Sequence, residues 1–256
     1  MASSISSKAP RWKTALEDAL AKYKNQTVVQ IATLDSQSTQ ITPRVRSHIF
    51  RHFLTSPTSP SLPLLISSTD IRTPKVHQLT HTSPLAELAW WIDGTQQQFR
   101  LRSRVFLVPH AKHPVYTTFQ NALDAADAGD AENPTPALAL FKNEDWEKRR
   151  VELFESMNAH MKASWCRPTP GSILEDGEDE AKTWPERIDE PSDPSSPDYE
   201  TQKRNWEFAL SNFAIVVIEP YEVDFVDLKV IPNRRWLFRR VKKQDDWVWE
   251  ETELVP

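Results

Sequence analysis

Five short runs of strand composition follow one another early in the chain: VVQIATL at 28–34, RVRSHIFRHF at 44–53, LPLLISS at 62–68, ELAWWI at 87–92 and QFRLRSRVFLV at 98–108. Only one short helical segment, from 74 to about 80, lies among them. Parallel neighbours need a crossover of a dozen residues or more, so this order predicts antiparallel pairing in a barrel or sandwich rather than repeated βαβ units. Four further runs, at 212–220, 223–231, 234–241 and 246–254, return to the same sheet. Ahead of the strands, Trp12, Ala15, Leu16, Ala19, Leu20 and Tyr23 recur at three and four, which predicts an amphipathic helix over 9–25.

Between 109 and 165 the pattern turns helical, with an Ala-rich piece at 119–128 and a long amphipathic stretch at 145–164 that places Val151, Phe154, Met157 and Met161 together. These helices are expected to cover the barrel. From Glu175 to Glu200 there are 11 acids, two bases and four prolines, a composition too poor in large apolar groups to offset the entropy of ordering. The chain therefore reads as a single domain over 1–256, mainly β with flanking helices, with a helical insertion at about 110–165 and a disordered acidic loop at about 175–200.

That loop carries −9 of a net charge of −5, so the rest of the chain is +4 and suits an anionic ligand. Four isolated glycines, Gly94, Gly129, Gly171 and Gly177, cannot assemble a P-loop or a GxGxxG turn. Any phosphate must then be held by side chains or a helix start. One cysteine, Cys166, excludes an internal disulfide and a multi-cysteine metal site. No apolar run approaches the roughly 20 residues that cross a bilayer, and the first residues carry no secretory core segment. A cytoplasmic chain with no membrane partner is expected.

Along 98–107, Phe99, Leu101, Val105 and Leu107 share one face, while Gln98, Arg100, Arg102 and Arg104 share the other. The ordinary explanation is a solvated outer face. Three arginines in a row repel one another, however, and are better accommodated beside an anion or a partner subunit. Arg44, Arg46 and His48 share a face of the second run, and Arg51 has the opposite parity. Arg46 and Arg51 reach one ligand only if the strand bends between them. In STDIRTPK, Thr73 is a candidate N-cap, Pro74 the first helical residue and Lys75 part of the first turn, an anion site in outline. The pairs His77 and His81, His48 and His52, and His110 and His113 lack a third ligand, so packing or surface roles are preferred to zinc. No metal is expected. Cys166 reads as a packed thiol, and the tryptophans of the strands as core.

Taken in order, the N-terminal helix running into QIATLD, then PRVRSHIFRHF, SSTDIRTPK, WWIDGTQQQFRLRSRVFLV, SWCRPTPGS and RRWLFRR before a Trp-rich last strand, resemble the FMN-binding split β-barrel proteins typified by pyridoxamine 5′-phosphate oxidase. The closer likeness is to the less characterised FMN-binding-domain branch. The resemblance implies an FMN-binding homodimer with a phosphate clamp at Arg46, Thr69 and Lys75, flavin contacts from Gln98 and Arg235, often across subunits, and further contacts from Arg72 and Arg51. Departures accompany it. Pro74 and Ser68 stand where the oxidase has a second basic residue and a Tyr, Val226 falls near the place of a C-terminal Trp, and Ile231 and Asn233 replace an Arg-x-His pair that grips its substrate. The implied function is a flavoprotein oxidoreductase acting on an unidentified small molecule, pyridoxamine or pyridoxine 5′-phosphate being one candidate. Its catalytic residues are unassigned. A non-catalytic protein holding FMN, haem or a B6 phosphate on the same fold is the alternative. A nucleic-acid partner is not expected, because Phe99 points away from the arginine face.

Overall fold

The structure is a computed structural model that describes residues 8–256 apart from 38, 129–133, 176 and 245. Gly129 and the first seven residues, considered above, and Asp176 of the acidic stretch lie outside the described residues. Helix α1 (Arg11–Lys22) buries Trp12, Leu16 and Ala19 and leads into strands β1 (Val28–Asp35), β2 (Thr42–Ile49), β3 (His52–Ser56) and β4 (Ser59–Asp70). The single turn α2 (Pro74–His77) and a π-type turn at 78–82 follow, then β5 (Leu85–Ile92) and β6 (Gln97–Val108). Helices α3 (Val115–Ala128), α4 (Pro136–Ala139), α5 (Trp146–Glu155) and α6 (Ala159–Ala163) form the insertion. After α7 (Gly177–Ala181) and α8 (Tyr199–Asn212) the chain closes with β7 (Phe213–Asp227), β8 (Arg234–Lys243) and β9 (Asp246–Leu254).

The strands pair antiparallel in the order β2-β1-β5-β6-β7-β4-β3, with β8 on β7 and β9 on β8. The expected strand over 44–53 is broken. Phe50 N donates to Thr27 O beside β1, whereas the next amide, Arg51 N, donates to Ile66 O of β4. The chain thus changes partner between two successive residues, which carries β2 into β3 around the corner of the barrel. This is the bend that Arg46 and Arg51 require.

The runs at 212–220 and 223–231, expected as two strands, are one long strand. Pro220 has no amide to give, and the ladder to β6 shifts register between Arg102 and Ser103 to accommodate it. On β7, Ala214, Val216 and Ile218 face the barrel interior, while Phe213, Ile215 and Val217 face the helices. Burial on both faces explains why this strand is a continuous apolar run. The helix expected over 145–164 is also two pieces, because Asn158 caps α6 by accepting from Met161 N at 2.8 Å.

A buried ion pair ties the insertion to the barrel. Glu219 Oε1 accepts from Arg240 Nη1 at 2.6 Å, and both side chains are essentially solvent-free. The same carboxylate takes the amides of Ala137 and Leu138 at the start of α4, and Arg240 donates to Pro134 O. The arginine row of β6 also finds its anions within the chain. Arg100 pairs with Asp224 and Arg102 with Glu222, both on β7, so an external anion is not needed there.

Candidate functional site

The site begins where β2 breaks. Thr69 near the end of β4 and Thr73 before α2 each accept from the Lys75 ammonium, at 2.8 and 3.0 Å. Thr73 occupies the N-cap position of α2 with Pro74 after it, but its side chain makes no cap hydrogen bond. Its hydroxyl donates to Asp70 O at 2.8 Å, and α2 is a single turn, so the expected helix-start anion site reduces to Lys75 and two hydroxyls. Arg46 donates to Thr33 Oγ1 at 2.6 Å and to Gln78 Oε1 at 2.8 Å, and Arg51 donates to Ser68 Oγ at 3.2 and 3.3 Å. Among the described residues none of these three cations has a carboxylate in ion-pair contact. Burial and the neighbouring Arg46 charge pull Lys75 down to about 8. Burial likewise lowers Arg46 and Arg51. Half-buried cations without counter-ions are unstable arrangements that an incoming anion relieves.

Lys75 and Arg51, though not Arg46, line a cavity of about 510 Å³ together with Ser47, His48 and Thr69 on its barrel side. Its other wall is the segment after α6. Trp165 is anchored by its indole N–H on Thr69 O at 3.3 Å, and its own carbonyl accepts from Asn212 Nδ2 at 2.9 Å. Beyond it, Arg167 lies over the Trp184 ring, and both line the cavity with Glu180. The acidic segment is therefore not a bystander. Ile188 is buried, its amide donates to Ala159 O, and His160 Nδ1 meets Glu186 O at 2.9 Å. Ile188, Trp184 and two backbone contacts give this stretch its seat, although its composition favours a loop. Cys166 is half-buried with its thiol on Asn205 O and its pKa pushed up to about 11 by burial, as a packed thiol should be.

The remaining sequence candidates lie elsewhere. Arg72 grips Asp70 at 3.0 and 2.6 Å and donates to Trp165 O, so its guanidinium is spent on the loop below the cavity. Gln98 and Arg235 flank Val226 in adjacent register on the open face of the sheet, apart from the cavity. Arg235 is held by Asp224 at 3.0 and 2.7 Å. Ile231 is 97 % exposed in the β7–β8 turn, and Asn233 serves the carbonyls of Leu228 and Val230. His48, given a packing or surface role above, is buried beside Lys75, and the wall built by Trp165, Arg167 and Trp184 was not anticipated. The shared face of Arg46 and His48 was a signal for the first. Nothing local marks the second.

This geometry has relatives. Residues 9–109 match the model of the pyridoxamine 5′-phosphate oxidase FMN-binding domain. The matched residues run from α1 to β6 and so include Arg46, Arg51, Thr69, Lys75 and Gln98. A pyridoxine/pyridoxamine 5′-phosphate oxidase 2 of Arabidopsis thaliana is 23% identical, covering 89% of this chain and 87% of its own. An uncharacterized protein of Saccharomyces cerevisiae is 22% identical over 89% of this chain and 91% of its own length. Among solved structures, a pyridoxamine 5′-phosphate oxidase-related, FMN binding protein from Nostoc punctiforme superposes with a TM-score of 0.63 at 21% identity, over 97% of this chain and all of that one. PhzG from Burkholderia lata, solved with tetrahydrophenazine-1-carboxylic acid, superposes with a TM-score of 0.51 at 16% identity, over 99% of this chain and all of its own. The fold is that of the pyridoxamine 5′-phosphate oxidase-like FMN-binding split barrel.

Proposed function

We propose that this chain is a dimeric FMN-binding flavoprotein that oxidises or reduces a small molecule. The observation that carries the reading is the set of Lys75, Arg46 and Arg51, three cations resting on neutral hydroxyl and amide oxygens, of which Lys75 and Arg51 line one cavity and all lie within the residues matched by the FMN-binding domain model. A phosphate dianion supplies the charge this set lacks, and the Thr69 and Ser68 hydroxyls offer further hydrogen bonds. The donor set fits FMN. When bound, FMN supplies the redox chemistry, and the protein supplies binding, orientation and exclusion of water. Lys75 and Arg46 would hold the phosphate, Arg51 would face the flavin and substrate, and Trp165 and Trp184 would wall the cavity against solvent.

Gln98 and Arg235 enter through a second copy. Their open sheet face also exposes Val28, Leu34, Val45, Leu85 and Trp91 on β1, β2 and β5. Ser47 and Ile49 of the edge strand β2 stand on that face and line the cavity. A subunit laid on this apolar surface therefore reaches the cavity, which is why the site is read as shared. Among the described residues no helix is long and apolar enough to cross a membrane. A lone thiol suits a reducing compartment, and we place the protein in the cytoplasm.

The test is a titration with FMN and with riboflavin. Lys75→Ala and Arg46→Ala should each weaken FMN binding by about 1.5–3 kcal/mol, the range for a charged hydrogen bond, and leave riboflavin affinity unchanged. Equal losses for both ligands would place the damage in the fold and remove the phosphate clamp.

A further inference from the structure

The cavity carries cations on both of its walls. Lys75 and Arg51 line it on the barrel side, and Arg167 lines it from the segment after α6. The cations around Arg167 are committed: Arg72 to Asp70, Lys182 to Asp179 and Arg187 to Asp189. Lys162 is buried, donates to Glu155 O at 2.9 Å and lies 4.5 Å from the centre of the Trp206 ring. Arg167 is exposed, and among the described residues its guanidinium makes no hydrogen bond and no ion pair. It lies over the Trp184 ring, 5.9 Å from the centroid. A ring face holds a cation without using its N–H groups, so the planar fork stays free to take an oxyanion.

Around Arg167 the wall is apolar. Met161, Ile173, Leu174 and the Trp184 ring all line the cavity, and Ile173 is 86% exposed, a large aliphatic group left in water. A ligand placed here lays an apolar body on these side chains and its charge on Arg167. Glu180 stands on the same wall and, among the described residues, forms no ion pair with Arg167, which disfavours a second negative group on the ligand. FMN does not meet this description, because its one anionic group is the phosphate assigned to Lys75 and Arg46 and its oxidised ring is neutral. Resting on the reading that FMN fills the barrel side, we propose that Arg167 is the substrate-binding residue of the other wall. The substrate is then a small organic oxyanion, a carboxylate or a phosphate monoester, with an apolar body packed on Trp184.

The probes are benzoate, phenyl phosphate and benzamide, a neutral molecule of the shape of benzoate, titrated calorimetrically into FMN-loaded protein. The wild type should bind one of the anions about tenfold more tightly than benzamide, the step expected for a charge-assisted hydrogen bond. The tighter anion tells a carboxylate substrate from a phosphate monoester. Arg167→Gln should weaken that anion by about tenfold and leave benzamide and FMN affinities unchanged. Anions bound no better than benzamide, or a preference that survives Arg167→Gln, overturn the assignment. An Arg167→Gln variant that loses FMN as strongly as the anion places Arg167 in the phosphate clamp and overturns it as well. Indole 15N resonances of the wild-type protein give a measurement that no folding defect can obscure. The Trp184 signal, identified by its loss in Trp184→Phe, should move as the preferred anion is added, and a signal indifferent to the anion overturns the assignment. Wild-type protein that takes up no FMN overturns the flavin reading. On that protein an anion preference lost in Arg167→Gln would still uphold the oxyanion site, and no such preference would overturn both.

Discussion

Lys75 is where the charge balance of the site is set. Its ammonium rests on two threonine hydroxyls, and the nearest carboxylate, Asp70, is engaged by Arg72. Asp70 raises its pKa, but burial and Arg46 outweigh that effect and bring Lys75 to about 8, below an exposed lysine. A group whose folded pKa is depressed in this way loses its proton earlier in the folded state. Stability of the ligand-free protein should therefore gain from this residue as pH rises from about 8 toward the exposed-lysine value of about 10.4. Binding has the opposite sign, because the phosphate needs the ammonium. FMN affinity should fall between about pH 7 and about pH 9.5, and Lys75→Arg, which stays charged, should flatten the dependence. FMN titrations across that range decide it, and a flat wild-type profile would remove Lys75 from the clamp. Arg46, Thr69 and Lys75 were singled out from the sequence, and the structure sets the Lys75 ammonium on Thr69. The counter-ions were not legible there, since whether an arginine is free or spent can depend on a carboxylate from another strand, as with Arg100 and Arg235 on Asp224.

At the scale of elements, the helical insertion and the barrel meet at Glu219 and Arg240. The carboxylate serves two α4 amides and a buried guanidinium at once. Removing one partner leaves the other charged and unpaired in the interior, so Glu219→Gln or Arg240→Met should each cost about 3–5 kcal/mol of unfolding free energy, measured by urea denaturation. Replacing both, Glu219→Leu with Arg240→Met, should cost less than the two single losses added together, because no lone charge remains. A simply additive double variant would mean that the pair is not coupled. Element boundaries followed the sequence where one periodicity ran undisturbed, as in β1, β5 and β6. They departed where a side chain or a partner change intervened: at Phe50 and Arg51, where the backbone changes partner, at Pro220, where a missing amide is absorbed by a register shift, and at Asn158, where a cap splits one helix into two.

For the whole molecule, the open sheet face is the decisive surface. A second copy covering Val45, Leu85 and Trp91 would hide apolar area that a monomer leaves in water. Light scattering should report about twice the chain mass of 29.5 kDa, and Trp91→Asp should dissociate the dimer and weaken FMN binding along with it. A wild-type monomer that binds one FMN per chain would end the shared-site reading. What the sequence determined by itself was an antiparallel sheet with a helical cover, because alternation of apolar residues along strands such as β5 and β6 dictates which face is buried and short connections leave no room for crossovers. Its local pattern at 44–53 and 73–75 also marked Arg46, Arg51 and Lys75 as candidates for holding an anion, and the family resemblance added Thr69. Only the tertiary structure decided which cations remain without counter-ions and that Trp165 and Trp184 wall the cavity. Those properties depend on pairs of residues tens to more than a hundred positions apart, whose meeting is set by packing and by no local signal in the chain.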